Sequence, residues 1–345
     1  MRIFEHIFSG KGMVFIAEIG LNHLGSADLA AKMLIEAAKA GADAVKFQTF
    51  VPEYMYSVYS SSLLKSMNEG EADSSKIDFF KKYVLQQDEY IKLKILAEEH
   101  GLVFFSSPFD VDSVNFLEEI GVQLYKIASS ELTNHMLLQR IAETKKPVIM
   151  STGMSTEEEI SMSIDFLQAE GVPDIVLMHC VSLYPLPTAS SNLGRIVSLN
   201  KRFNLKVGFS DHTVGFRAAG IATALGARII EKHFTLDEDY ECPDRELSLS
   251  PYSFKRMKDS VECILNMIGD GHIDYDFCED ESAMQSRKSL FARRFIPKGK
   301  ILEMDDIIPK RPGVGIPVYK LNRIIGKRTN RELGEDFLIR TEYLE

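Results

Sequence analysis

Eight short apolar runs punctuate residues 14–234, and most of them close on polar or ionisable side chains. They read VFIAEIG (14–20), DAVKFQ (43–48), LVFFSSP (102–108), LYKIASS (124–130), PVIMST (147–152), IVLMHC (175–180), LKVGFSD (205–211) and RIIEKHF (228–234). Between them lie stretches such as SADLAAKMLIEAAKAGA and VDSVNFLEEIGV, whose apolar residues recur at helical spacing and stop at a glycine. A parallel strand pair cannot be closed by a hairpin, so strands that alternate with helices predict a parallel sheet built from crossovers. Eight such units within residues 1–270 predict an α/β fold of the (β/α)8 TIM-barrel type rather than an open doubly wound sheet. No GxGxxG follows the first run, which removes the usual dinucleotide cradle.

In a barrel the C-terminal strand ends converge on one face, where active sites are built. The first run supplies Glu18 and leads to Asn22 and His23; the second supplies Lys46 and Gln48. The third ends on Ser106 and Ser107, the fourth on Lys126, Ser129, Ser130 and Glu131, the fifth on Ser151 and Thr152. The last three lead to Ser182 and Tyr184, to Ser210, Asp211 and His212, and to Glu231, Lys232 and His233. Side chains two apart share a face of a strand, which pairs Lys46 with Gln48, Ser210 with His212, and Glu231 with His233. One polar strand end is an ordinary solvated terminus; the same habit on neighbouring strands predicts a site.

His212 and His233 end adjacent strands and are the natural metal pair, because imidazole suits divalent transition ions. His179 lies within an apolar run and is expected to be structural; His6, His100, His135 and His272 are expected on the surface or in loops. Lys46 and Lys126 sit where a buried ammonium needs an anion, and with Ser107, Ser129, Ser151, Ser182 and Ser210 they form a cradle for phosphate and carboxylate. A lysine kept neutral and forming a Schiff base is the competing chemistry. Glu18, Glu131 and Asp244 are candidates for proton transfer or for binding sugar hydroxyls. Two segments break the rhythm: residues 51–82 lengthen the second connection and are expected to shape the pocket, and the acidic stretch 269–286 reads as an interdomain linker.

Charge is distributed unevenly. Residues 287–345 carry 14 Lys+Arg against 8 Asp+Glu, whereas the preceding 286 residues carry 26 against 42. The basic segment shows neither an RNA-binding aromatic signature nor zinc-finger spacing, so no nucleic-acid partner is expected. No run approaches the roughly 20 apolar residues of a membrane helix, and the N-terminus lacks the pattern of a secretory leader. Four scattered cysteines without a CxxC pair read as reduced thiols. A soluble cytoplasmic protein with no membrane partner is the expectation.

The motifs AEIGLNHLGS, VKFQT, SSPFD, KIASSE, STGMST, SLYPLP, GFSDHTVG and EKHFTLD, in this order, resemble the bacterial sialic acid synthase family, which includes the N-acetylneuraminate, legionaminate and pseudaminate synthases. The tail RKSLFA…IPKG…KRPGVGI…IIGK resembles that family's antifreeze-like (SAF) domain. The resemblance implies a barrel domain at 1–270, a linker at 271–286 and a small β-rich antifreeze-like domain at 287–345. It implies metal-dependent condensation of phosphoenolpyruvate (PEP) with an N-acetylmannosamine-type amino sugar, giving a nine-carbon sialic acid and phosphate. A 2,4-diacetamido-trideoxyhexose acceptor, as in legionaminate or pseudaminate synthesis, is the alternative.

Carried over by motif, Mn2+ (or Mg2+ or Co2+) would rest on His212 and His233. PEP would be held by Lys46, Lys126, Ser107, Ser129, Ser151, Ser182 and Ser210, and the acceptor by Glu18, Gln48, Tyr184 and Asp244. Glu131 matches an acid/base carboxylate, so that Glu131, Glu18, Lys46 and Asp244 form the expected catalytic set. Arg311 of KRPG matches an arginine lent to the partner subunit's sugar site, which implies a domain-swapped homodimer. Three departures concern the acceptor: CPDR (242–245) stands for the family's Gly-Pro-Asp-His, Ser182 for an asparagine, and the second loop offers only Asn68 and Glu71 near a sugar-contacting asparagine.

Overall fold

The computed structural model describes residues 12–59, 73–274 and 276–345. His6, Asn68 and Glu71 fall outside the described residues. The chain divides into two compact units, Met1–Gly269 and Asp270–Glu345.

In the first unit, eight parallel strands close into a barrel in chain order. They are β1 (Val14–Glu18), β2 (Ala44–Thr49), β3 (Val103–Pro108), β4 (Tyr125–Ile127), β5 (Val148–Ser151), β6 (Ile175–His179), β7 (Lys206–Asp211) and β8 (Ile229–His233). All eight runs are therefore strands. The fourth is shorter than its sequence suggests, because the chain turns at Ala128 and winds Ser129–Glu131 into a 3-10 turn. Helices cross between strands and start where a short polar side chain accepts an otherwise orphaned backbone N–H. Ser26 does so for Ala27–Lys39, Asp110 for Val111–Glu119, and the Thr156/Glu159 capping box for Glu157–Ala169.

Period-2 alternation sorts every strand into two faces. The outward residues, Phe15, Phe47, Phe104, Leu177, Phe209 and Ile230 among them, pack beneath the helices in one continuous core. The inward residues Val14, Ile16, Ala44, Phe105, Leu124, Ile149, Val176, Met178 and Ile229 fill the lower barrel. Gly208 belongs to this layer for steric reasons, since a Cβ there would lie 2.4 Å from Met178 Sδ and 2.7 Å from Ile229 Cβ. Above that apolar plug the next inward residue is polar on every strand but β6, where it is Cys180. Register then fixes neighbours: Glu18 beside Lys46 and His233, and Ser210 beside Glu231.

The second unit has its own core, with Leu290, Ala292, Ile296, Leu302, Leu333 and Ile339 at its centre. Its regular β-structure is one antiparallel pair, β9 (Ser289–Ala292) with β10 (Ile307–Lys310), and isolated bridges supply the rest. The acidic stretch at its start carries a 3-10 turn and a short helix, Asp280–Ser286. The charged residues there form a helix without any apolar period to announce it.

Asp306 is the electrostatic pin of this unit. Its fully buried carboxylate accepts hydrogen bonds from Arg294 Nε and Nη2 (2.9 and 2.8 Å), from Lys300 Nζ and from the Glu303 backbone N–H (3.0 Å). Burial works against its charge, but the Lys300 and Arg294 hydrogen bonds outweigh that and hold its carboxyl below the ordinary value. The stabilisation is thus present above the unfolded pKa of about 3.9 and is lost as pH falls through the lower folded value. Asp306→Asn is expected to destabilise this unit by about 2–3 kcal/mol, at or below the roughly 3–5 kcal/mol of a broken buried pair because the stranded cations reach water. Calorimetry of the full chain between pH 3 and 7 checks this. The variant should show a flatter acid dependence than the parent.

Candidate active site

At the C-terminal mouth of the barrel lies a cavity of about 750 Å³. Glu18, Lys46, Gln48, Ser107, Lys126, Ser129, Glu131, Ser151, Ser182, Tyr184, Ser210, His212, His233 and Asp244 all line it. The barrel residues assigned a catalytic, substrate or metal role are thus brought to one place, whereas Asn22, His23, Ser106, Thr152, Asp211 and Lys232 of the same strand ends do not line it. Arg311, the remaining candidate, belongs to the second unit, where it is exposed.

The two lysines are held differently. Lys46 Nζ forms an ion pair with Glu18 Oε2 (2.8 Å) and donates to Ser107 Oγ (3.2 Å), while Gln48 Nε2 donates to Glu18 Oε1 (2.9 Å). Burial opposes charge on Lys46, but Glu18 and Glu231 outweigh it and raise the ammonium above its ordinary value. Lys126 Nζ donates to Ser151 Oγ (2.6 Å) and stands 3.7 Å from Glu231 Oε1. Here burial, assisted by Lys46, wins over the pull of Glu231, and the ammonium lies below its ordinary value.

Glu231 accepts from Ser210 Oγ (2.8 Å), and its Oε2 is buried without a hydrogen bond. Burial alone would raise its pKa; Lys126 and Lys46 overcome this and bring it to about 2. It is an anion that spaces and orients the lysine pair. Lys232, which points out of the barrel, pairs with Asp211 Oδ2 (3.3 Å) and donates to the Thr213 carbonyl, so the third ionisable residue of that strand is a packing pair between β7 and β8.

The two imidazoles lie with ring centroids 5.7 Å apart. His212 Nδ1 is 2.9 Å from the Val181 carbonyl, which only accepts. That nitrogen therefore carries the proton, and Nε2 keeps its lone pair on the cavity side. Burial and the neighbouring His233 push the His212 pKa down to about 3, so the ring is neutral. His233 Nδ1 sits 3.2 Å from Asp244 Oδ2 but makes no hydrogen bond. A neutral imidazole with a fixed tautomer beside a buried ring nitrogen that has no hydrogen bond is a pair that a divalent cation would complete. Among the described residues no third His, Cys, Asp or Glu joins such a set, so water and substrate oxygen would fill the remaining positions. The Tyr184 ring covers His212 with centroids 4.2 Å apart. His179 is buried elsewhere, bonded to the Ser191 carbonyl (2.8 Å) and stacked on Phe209, in keeping with a structural role.

Glu131 is half-buried and fixed by Asn134 Nδ2 (2.7 Å) and Ser130 Oγ (3.0 Å). Three further residues serve the site without having been singled out. Gly153 donates its N–H to Ser129 Oγ (3.1 Å), and a Cβ there would lie 2.6 Å from Ser182 Oγ and 2.7 Å from Ser129 Oγ, so only glycine leaves the serine hydroxyls free. Cys180 Sγ contacts Ser129 Oγ (3.0 Å); it continues the inward alternation of Val176 and Met178, a signal present in the sequence. Asn22, noted only as a polar strand end, clamps the loop that presents Asp244. Its amide donates to Phe234 O and Ser248 Oγ (both 2.9 Å) and its carbonyl accepts from Asp244 N (3.1 Å). Of the CPDR residues, Arg245 turns outward to Glu241 (3.1 Å), leaving Asp244 alone to face the site.

The NeuB family profile matches residues 33–273, and that of the SAF domain matches residues 287–345. N,N'-diacetyllegionaminic acid synthase of Campylobacter jejuni is 37% identical over 332 residues, 96% of this chain and 99% of that protein. A pseudaminic acid synthase of the same species is 36% identical over 327 residues, 94% of each chain. The crystal structure of N-acetylneuraminic acid synthetase from Leptospira borgpetersenii superposes with a TM-score of 0.71 at 33% identity, covering 79% of this chain and 90% of that one. The chain therefore belongs to the NeuB family of sialic, legionaminic and pseudaminic acid synthases, with a SAF domain at its C-terminal end.

Proposed function

We propose that the protein condenses phosphoenolpyruvate with an open-chain N-acylated amino sugar of the N-acetylmannosamine type, releasing phosphate and a nine-carbon 2-keto acid. The observation that carries this reading is the meeting, in one cavity, of two buried lysines, five serine hydroxyls and a histidine pair. Lys46 and Lys126 with Ser107, Ser129, Ser151, Ser182 and Ser210 hold the phosphate and carboxylate of PEP, since charged donors and hydroxyls together satisfy oxyanions. Glu18, Gln48, Tyr184 and Asp244 meet the hydroxyls of the sugar. A divalent ion, Mn2+ by preference, on His212 and His233 would supply Lewis-acid polarisation of the sugar aldehyde.

The PEP methylene carbon forms the new C–C bond with the aldehyde carbon, and the aldehyde oxygen takes up a proton. Water adds at the former enol carbon and gives its proton to Glu131, which Asn134 and Ser130 hold at the cavity wall. Phosphate then leaves by C–O cleavage and the ketone forms. Arg311 of the SAF domain would reach the sugar site of a second copy, making the working unit a domain-swapped dimer.

The test is purified protein with PEP, Mn2+ and candidate sugars, read by phosphate release and by the mass of the keto acid. Absence of both products with every sugar sinks the reading. The low-lying ammonium of Lys126 favours a second chemistry, a Schiff base with pyruvate. Borohydride trapping of a pyruvate adduct on Lys126, with activity that survives EDTA, would establish that alternative.

A further inference from the structure

A second cavity, of about 790 Å³, opens beside the connections that leave β6 and β7 and shares no lining residue with the barrel mouth. Arg217 and Arg256 line it, and among the described residues no Asp or Glu does. Arg217 opens the helix Arg217–Ala224, whose N-terminus has neither a side-chain cap nor an acidic residue in its first turn. Orphaned N–H groups give such an end a partial positive charge. A guanidinium there has the wrong sign for the helix dipole, a conflict that a bound anion would relieve. Arg256 Cζ lies 5.9 Å from the Phe216 ring and 5.7 Å from that of Tyr252, which holds a second guanidinium over the residue preceding the helix. Neither arginine forms an ion pair among the described residues. Ser191 is an independent sign of a ligand. It lines the cavity and is 5% exposed, with its N–H donating to the Thr188 carbonyl (3.2 Å) and its carbonyl 2.8 Å from His179 Nε2. Its Oγ is nevertheless buried with no hydrogen-bond partner among the described residues. A hydroxyl stranded in this way calls for a partner from outside the chain.

We propose that this cavity is a binding site for a small phosphate monoester. The phosphoryl group lies at the N-terminus of Arg217–Ala224, between Arg217 and Arg256, and accepts from the free helix N–H groups and from the Ser191 hydroxyl. Two guanidiniums, a helix end and a hydroxyl suit the three oxygens and double charge of a phosphate monoester better than the two oxygens and single charge of a carboxylate. The cavity is much larger than a phosphoryl group, and Leu193, Phe216 and Ile221 on its wall flank the organic part of the ester. No residue of the barrel mouth takes part, so the site stands or falls independently of the condensation proposed above.

The test is calorimetric titration of the full chain with phenyl phosphate, inorganic phosphate and phenol. It is run in a Lys126→Met background, so that the lysine–serine cradle of the barrel mouth does not contribute. Phenyl phosphate is expected to bind with a Kd of about 1 mM or tighter. Inorganic phosphate should bind about 3- to 10-fold more weakly, for want of contact with Phe216, and phenol should not bind. Arg217→Gln and Arg256→Gln should each weaken phenyl phosphate by about 10- to 100-fold, the worth of a hydrogen bond to a charged group. Arg217→Lys, which keeps the charge but not the fork, should fall between parent and Arg217→Gln. Both arginines are exposed, so these variants should melt as the parent does. Should Lys126→Met fail to fold, the same two substitutions in the parent should remove one phenyl phosphate site per chain. Absence of binding at about 10 mM ligand, or an affinity and stoichiometry unchanged by both arginine substitutions, overturns the proposal.

Discussion

Lys126→Met is expected to lower kcat/KM for PEP by about 10³-fold. The ammonium is 3% exposed, bonded to Ser151 Oγ at 2.6 Å and 3.7 Å from Glu231. Removing one member of a buried, hydrogen-bonded charge set costs about 3–5 kcal/mol, and each 1.36 kcal/mol is roughly tenfold in rate. Methionine keeps the volume, so the loss is electrostatic rather than a cavity. Glu231 loses the first of the two cations that hold its pKa at about 2, and its burial then pushes the carboxyl upward. A steady-state series in PEP and a melting curve separate the two consequences. The KM for PEP should rise steeply, and Lys126→Arg should restore the melting temperature better than the KM, because a planar fork does not replace a compact ammonium. A KM within threefold of the parent would remove Lys126 from the anion cradle.

His212→Ala and His233→Ala are each expected to reduce turnover by at least about 10³-fold, with the double variant little worse than either single one. Groups that act as a unit show this non-additivity. Mn2+ binding by equilibrium dialysis provides a readout that does not depend on turnover, and both single variants should lose it. His179→Asn is the control: its ring bonds the Ser191 carbonyl outside the cavity, so it should keep turnover within a fewfold while lowering the melting temperature. Retained turnover in both alanine variants would remove the histidine pair from the catalytic machinery.

Much of the site was legible because a strand has a period of two and a barrel a single mouth. Lys46 with Gln48, Ser210 with His212, and Glu231 with His233 needed only that period to be placed on one face, and the cavity lining contains all six. Cys180 followed from the same alternation. Glu131 was read as a strand end, but it stands on a 3-10 turn, since the chain leaves the barrel after Ile127. Nothing local announced Asn22 as a clamp, because its partners Phe234, Asp244 and Ser248 are more than 200 residues away. The aromatic side of the cavity, made by Tyr54, Tyr56, Phe80 and Phe109, was equally silent. Its residues sit on two short helices and a strand end, with no shared period.

RIIEKHF shows where the division lies. Alternation within seven residues decided that Glu231 and His233 face one way and Lys232 the other, because backbone pleating admits no alternative. Which charge each would meet was decided by register and closure: Asp211 opposite Lys232 across β7 and β8, Ser210 and Lys126 around Glu231, Asp244 against His233. Pairing of charges in a low-dielectric interior depends on separations of a few ångströms between residues distant in the chain. The pattern of polar strand ends foretold a site lined by lysine, serine and histidine side chains; only the closed barrel set the protonation of those side chains and brought aromatic rings to one side of them.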